Sequence, residues 1–335
     1  MSGMNRSQDP VRVALLGCGT VGAAVARRMT ERSELFAHRV GRPLQPIGIA
    51  VRHLDRERDL TGVPDGLLTD RAEDLVDGAD VVVEVMGGIE PARSLIQRAI
   101  RGGAQVVTAN KQLIAQHGIQ LCALADEHGV ALEYEGAVVA AVPVLHVVRE
   151  ALAGDEITSI HGIVNGSTNY VLDLVSRFGV PLGEAVTRVG ELGYLEADPT
   201  EDLEGLDAAA KIVILARCAW GVDVQLEDVQ REGISGLTDV DFESARGTGQ
   251  VIKLIASAWR SGPATAPRVE LAVHPVSLAA DHPLALTRES GNAVVIEAES
   301  AGTLRLHGAG AGGEETASAV LGDLVNVARR ITVAR

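Results

Sequence analysis

Aromatic side chains are nearly absent: Phe, Trp and Tyr make up 2% of the 335 residues. A chain so poor in rings has no platform on which nucleic-acid bases can stack, and its core must be built from Val, Ile, Leu and Ala. The three cysteines, Cys18, Cys122 and Cys218, stand far apart, with no CxxC or metal-ligand spacing. That pattern suits a reducing cytoplasm. No apolar run reaches the roughly 18–20 residues needed to span a bilayer, and the opening MSGMNRSQDP lacks the apolar stretch of a secretory leader. Positive charge is also in deficit. A formal net charge of −15 argues against nucleic acid or a membrane surface as partner, because phosphate binding needs a basic face. What remains is 46% hydrophobic and 22% charged, ordinary for a soluble globular protein. The length accommodates two domains.

VRVALL (11–16) reads as a short buried strand, followed by GCGTVG (17–22) and a helical pattern from Ala23 to about Thr30. PIGIAV (46–51), ADVVVEVMGG (79–88), AQVVTANK (104–111) and VALEYEG (130–136) read as further strands with helices between them. This alternation predicts a parallel sheet covered on both faces. Beyond it the pattern changes. ITSIHGIVNGSTNYVL (157–172) is a strand, a polar turn and a helix start. DPTEDLEGLDAAAKIVILARCAWG (198–221) predicts one helix, with Asp198 as cap, Pro199 in the first turn and Gly221 at the end. RVELAVHPVSL (268–278) and NAVVIEAES (292–300) alternate as strands do, and HGAGAGGEETASAVLGDLVNVARR (307–330) is a glycine-rich turn opening a helix.

GCGTVG follows a strand and opens a helix. In a dinucleotide site Gly17 permits the tight turn, Gly19 admits the pyrophosphate to the backbone, and Gly22 lets helix and strand pack. Thr20 and Val21 lie on the same turn, and Gly87 ends the third strand; these too are candidate cofactor contacts. At the end of the second strand stands Arg52, with Arg56 and Arg58 nearby, where a site for NAD has an acid. A guanidinium there suits a 2′-phosphate and favours NADP. A plain surface arginine is the alternative, and Asp55 keeps NAD open. Lys111 closes TANK at the carboxyl edge of the sheet, where it can reach a ligand or simply be solvated.

Between Glu191 and Asp207 there are seven acids, and one lysine, Lys211, follows. Asp207 and Lys211 are four residues apart and share a helix face. They are either an ion pair on a wet acidic surface or a positioned proton donor with its carboxylate. Glu196 has no cation near it in sequence, which suits a substrate ammonium.

GCGTVG, VVVEVMGGIEPA, VVTANK, GIVNGSTNYVL, ELGYLEADPTEDLEGLDAAAKIVILA and GAGAGGEETASAV occur in one order over about residues 10–330. In this the chain resembles the homoserine dehydrogenases, and the block from Gly193 to Lys211 is the specific part. The resemblance implies reversible reduction of L-aspartate 4-semialdehyde to L-homoserine with NADP or NAD, in threonine, methionine and isoleucine biosynthesis. It implies an α/β fold: a Rossmann dinucleotide-binding domain (10–137 and 303–335) and a mixed α+β catalytic and dimerisation domain (138–302), with the C-terminal helix returning to the Rossmann domain. A cytoplasmic homodimer is expected. Lys211 resembles the family's proton donor and Lys111 the lysine by the nicotinamide. Glu196 matches the residue holding the substrate's amino group, with Asp207 and Tyr194 beside the substrate, and Gly308 and Gly310 match tail glycines that meet the cofactor. Glu135, Val138, Ala140 and Val142 fall where the family binds a monovalent cation, Na+ or K+, through backbone carbonyls. The chain departs from the family at Ala140 and Ala141, where paired glycines are common, and alanine tolerates fewer backbone conformations. No ACT-type regulatory domain is expected after the final helix. Two rivals are an amine-forming aspartate dehydrogenase and a dinucleotide sensor without catalysis.

Overall fold

Valine-rich strands need cover on both faces, and helices supply it here. A computed structural model of the chain describes residues 9–263 and 267–333. The N-terminal segment 1–8, read above as carrying no leader, and the terminal residues 334–335 lie outside the described residues. Contacts divide the chain into two compact units, Met1–Ala140 with Gly312–Arg335, and Ala141–Ala311.

The first unit holds Val11–Leu16 (β1), Leu44–Ala50 (β2), Leu68–Thr69 (β3), Val81–Glu84 (β4), Gln105–Thr108 (β5) and Leu132–Glu133 (β6). They form one parallel sheet in the order β3-β2-β1-β4-β5-β6. The order reverses between β1 and β4, and in open α/β sheets ligands bind at the carboxyl end of that point. The core joins Val13, Leu15, Val81, Val83 and Val107 of the sheet to Val320, Leu324 and Val327 of helix Gly313–Val333. The expected return of the C-terminal helix to the Rossmann unit is thus observed. The two-residue strand β3 escaped the sequence pattern. Strand β4 is shorter than expected because Gly87 and Gly88 turn the chain away.

The second unit carries Ile157–Ile163 (β7), Val229–Arg231 (β8), Gln250–Ser261 (β9), Arg268–Ala279 (β10), Gly291–Ala298 (β11) and Gly302–Ala309 (β12), in a mixed sheet of order β12-β11-β7-β9-β10-β8. The second junction lies beyond the expected limit at 302, because β12 pairs along its length with β11. The single helix expected over 199–220 is two, Thr200–Leu203 and Leu206–Trp220. Gly205 stands between them at φ 72°, a left-handed conformation that ends one helix and starts the next.

A charged cluster is buried inside this unit. The Lys253 ammonium is 1% exposed and donates to Asn169 Oδ1 and the Thr287 carbonyl, both at 2.8 Å. Asp173 lies 3.7 Å away and also accepts from Arg177 and Arg288. Burial pushes Lys253 down to about 8 from 10.5, against the pull of Asp173. Between those two pH values the unfolded chain holds this proton and the folded chain has released it, so Lys253 makes stability rise with pH across the window. In urea unfolding at pH 7.5 and 9.5, the stability of the wild type relative to Lys253→Met is expected to grow by about 1–2 kcal/mol at the higher pH. An equal difference at both pH values contradicts this.

Candidate active site

In the first unit, Gly17 has φ 104°, and a Cβ there would lie 2.8 Å from the Val85 carbonyl oxygen. A Cβ on Gly22 would lie 2.3 Å from the Gly17 oxygen, so only glycine lets helix Thr20–Glu31 pack this closely. Gly19 is the opposite case, with open space where a side chain would be. It starts the helix without any side-chain cap, so no capping side chain occupies the first amides of the helix. This is the arrangement that accepts a phosphate. A cavity of about 610 Å³ opens here, lined by Gly17, Gly19, Thr20, Arg52, Arg56 and Arg58 among others. Asp55 is exposed and does not line it. Cys18 does, and burial raises its thiol against the opposing pull of Arg58. The glycine turn and the arginines fit a dinucleotide with a charged ribose. Val21 and Gly22 support the turn from behind, and Gly87 lies exposed at the end of β4.

Lys111 is half-buried and is the first residue of helix Lys111–Glu127. The residues just before it were missed as site-builders. Asn110 caps that helix by accepting from the Leu113 amide at 3.1 Å, and donates to the Gly88 carbonyl at 2.6 Å. Thr108 donates to the buried Glu84 carboxylate at 2.6 Å, which also accepts from the Met86 and Gly87 amides. Burial pushes Glu84 above the usual carboxylate range, while those hydrogen bonds pull it back. TANK thus ties the loops after β4 and β5 together. Its signal was legible, since Asn is a strong helix cap.

In the second unit the wet-surface alternative for Lys211 does not hold. The Lys211 and Asp207 side chains are 12% and 7% exposed, and Nζ lies 2.8 Å from Asp207 Oδ2. Nζ also donates to the Val164 carbonyl at 2.7 Å. An ammonium has three donors, and the third has no partner among the described residues. Asn165 organises the acids. Its Nδ2 donates to Asp207 Oδ2 at 2.9 Å and to Asp202 Oδ1 at 2.6 Å, and its Oδ1 accepts from the Thr168 amide at 2.8 Å, capping helix Gly166–Phe178. Asp198 is likewise structural, accepting from Thr200. Glu196 is exposed on the loop before Thr200 and makes no ion pair or hydrogen bond among the described residues. Tyr194 is 45% exposed, its ring edge-on to Tyr170 at 5.3 Å, and its carbonyl accepts from Ser167.

Glu135, Val138 and Ala140 of the first unit and Val142 of the second are all buried. The Glu135 and Val142 carbonyls already accept from Val138 and Val144 amides. Ala140 adopts φ 39°, so the left-handed conformation that favours glycine is kept despite the methyl group. Gly308 pairs with Asn292 in the β11–β12 ladder, and Gly310 follows the end of β12. Among the described residues no cluster of His, Cys, Asp or Glu can hold a metal, and no helix is long and apolar enough to cross a membrane.

Asn165→Ala is expected to cost about 1–3 kcal/mol in thermal or urea unfolding, through the lost cap and amide bonds. Asn165→Asp, which sets a third carboxylate against Asp202 and Asp207, should be less stable still at pH 7. An Asp variant as stable as the wild type contradicts the network.

Comparison with known proteins gives a consistent result. A model for homoserine dehydrogenase matches residues 143–325, and one for the homoserine dehydrogenase NAD binding domain matches residues 17–135. The chain is 46% identical over 322 residues to a homoserine dehydrogenase of Corynebacterium glutamicum, covering 95% of this chain and 72% of that protein. It is 39% identical over 323 residues to that of Bacillus subtilis, covering 96% and 73%. Among solved structures, a homoserine dehydrogenase from Thiobacillus denitrificans matches with TM-score 0.92 at 40% identity, covering 97% of this chain and 75% of that one. A hyperthermophilic archaeal homoserine dehydrogenase in complex with NADPH matches with TM-score 0.81 at 30% identity, covering 96% and 98%.

Proposed function

This chain belongs to the homoserine dehydrogenase family, and we propose that it interconverts L-aspartate 4-semialdehyde and L-homoserine with Lys211 as the proton donor. It is an NAD(P)-dependent oxidoreductase. The bound nicotinamide, when reduced, supplies the hydride. The observation that carries the rest is the Lys211 ammonium, largely shielded from solvent, fixed by Asp207 and the Val164 carbonyl, and left with one N–H that has no partner among the described residues and can meet a substrate oxygen. During reduction Lys211 gives its proton to the developing alkoxide. Asp207 holds the lysine in place. Glu196 receives the substrate's ammonium, an assignment supported by its exposure and its lack of a partner among the described residues, and Tyr194 lies on the same loop. Lys111 adds positive charge for the oxygen at the nicotinamide side.

NADP is the proposed preferred cofactor, with NAD as the second. Arg52 and its neighbours line the cavity beside the glycine turn, and guanidinium groups bind phosphate through forked, charge-assisted hydrogen bonds. The archaeal relative was solved with NADPH. Cofactor contacts are assigned to Gly17, Gly19, Thr20, Val21, Gly22, Arg52, Gly87, Lys111, Gly308 and Gly310. The family likeness further supports a cytoplasmic homodimer, and a monovalent cation on the carbonyls of Glu135, Val138, Ala140 and Val142.

Lys211→Ala should lower kcat by about 10²–10⁴-fold with the fold intact, measured by homoserine-dependent reduction of NADP. Near-normal turnover removes Lys211 from the mechanism. Arg52→Ala should raise KM for NADP about tenfold or more and leave KM for NAD unchanged. An unaltered NADP preference discards the 2′-phosphate assignment.

A further inference from the structure

Lys253 lies on β9, and its buried ammonium donates to Asn169 Oδ1 and to the Thr287 carbonyl, both at 2.8 Å. Asn169 is equally buried and stands one turn into helix Gly166–Phe178. Its Nδ2 donates to the Glu289 carbonyl at 2.8 Å, and its backbone N–H donates to the Asn165 carbonyl at 3.3 Å. The turn 287–291 is fastened to the same helix at two further points. The Glu289 amide donates to Asp173 Oδ2 at 3.3 Å, and a Cβ on Gly166 would lie 2.5 Å from the Ser290 oxygen. Glu289 is held at φ 49°, a left-handed conformation that a side chain disfavours and that persists only where the surroundings over-determine it. At the start of this helix stand Asn165, whose Nδ2 donates to Asp207 Oδ2 at 2.9 Å, and Val164, whose carbonyl accepts from Lys211 at 2.7 Å. Every residue in this chain of contacts belongs to the second unit.

We propose that Lys253 is a positioning residue for the reaction: through Asn169 and the 287–291 turn it fixes the first turn of helix Gly166–Phe178, from which Asn165 and Val164 hold Asp207 and Lys211. The proposal rests on the assignment of Lys211 as proton donor. Stability alone explains the lysine poorly. Taking an ammonium out of water costs several kcal/mol, and apolar groups of similar volume in place of a buried ion pair are often neutral or stabilising. What an apolar side chain cannot supply is the pair of N–H donors that tie Asn169 to the Thr287 carbonyl. Those two bonds fix the start of the helix against the turn, and an error of about 1 Å at a reacting group can cost on the order of 10²-fold in rate.

The test is a double-mutant cycle on kcat for homoserine-dependent reduction of NADP, built from Lys253→Met and Lys211→Ala. Lys253→Met alone should lower kcat about tenfold or more, with KM for NADP changed by less than about twofold, because the dinucleotide turn belongs to the other unit. In the Lys211→Ala background the same change should lower kcat by less than about twofold, since no proton donor is left to misplace. A merely structural lesion reduces kcat equally in both backgrounds. That result overturns the proposal, as does a Lys253→Met enzyme with wild-type kcat or a parallel rise in KM for NADP. If Lys253→Met fails to fold, Asn169→Ser, which removes the side-chain acceptor of Lys253, takes its place in the cycle with the same expectations. Failure of both to fold overturns the proposal, because the cluster then serves the whole unit and not the site. Near-normal turnover of Lys211→Ala removes the proton-donor reading and this inference with it, while a full loss in Lys211→Ala beside an unaffected Lys253→Met sinks this inference alone.

Discussion

A lysine largely shielded from water and paired with one carboxylate is the constraint on which the second unit depends. Burying an ammonium costs several kcal/mol of lost hydration, and a carboxylate offsets it only with good geometry and further hydrogen bonds. Here the lysine has Asp207 at 2.8 Å and the Val164 carbonyl at 2.7 Å, and the carboxylate in turn takes Nδ2 of Asn165. Asn165 spends its other end on the helix cap at Thr168. Forming the end of helix Gly166–Phe178 and aiming the lysine are therefore one structural event. Much of the acidic stretch serves this frame: Asp202 is tied by the same amide and Asp198 caps the short helix at Thr200. Glu196 makes no such bond among the described residues.

How much of this the sequence revealed depended on whether the signal was local. β1 runs over the residues its pattern predicts, and the glycine turn after it takes the expected form, because both are set by neighbours in the chain. The split at Gly205 was missed because a capping pattern, a proline and an apolar run together mimic one continuous helix. Strand β3 has two residues and no period to detect. The site failed differently. Spacing put Asp207 and Lys211 on one face, but i,i+4 spacing is the same for a surface pair and a buried one. Only the fold brings Asn165 to Asp207 across 42 residues of chain. The TANK residues show the same limit, since Lys111 attracted notice by its charge while Asn110 and Thr108 hold the loops.

Charge is distributed against the average in the nucleotide-binding unit. A chain of net charge −15 sets three arginines, Arg52, Arg56 and Arg58, along one cavity, interleaved with Glu57 and Asp59. The mixture keeps the segment from repelling itself, while the guanidinium groups still offer forked donors to a phosphate. Below the loop after β4 the sign reverses. The carboxylate of Glu84 is buried and serves to fix amides, not to meet a ligand. Position relative to solvent, more than residue type, separates the cavity-lining charges from the structural ones.

The glycines divide by cause. At Gly22 the excluded Cβ would strike backbone, the Gly17 carbonyl at 2.3 Å, so no side-chain adjustment relieves it. At Gly310 it would strike the Asn292 amide, a neighbour that evolution is free to shorten. Gly22 is thus dictated by the geometry of a strand meeting a helix, a demand any dinucleotide turn of this kind shares. At Gly310 the cause is a side chain distant in sequence, because the Asn292 amide occupies the space a Cβ would need. Ala140 gives the converse case: a left-handed φ of 39° persists on a residue with a methyl group, at roughly 1–2 kcal/mol of strain. Strain of this kind survives only where the surroundings over-determine the conformation. Its burial, at 3% exposure, is what supplies that determination.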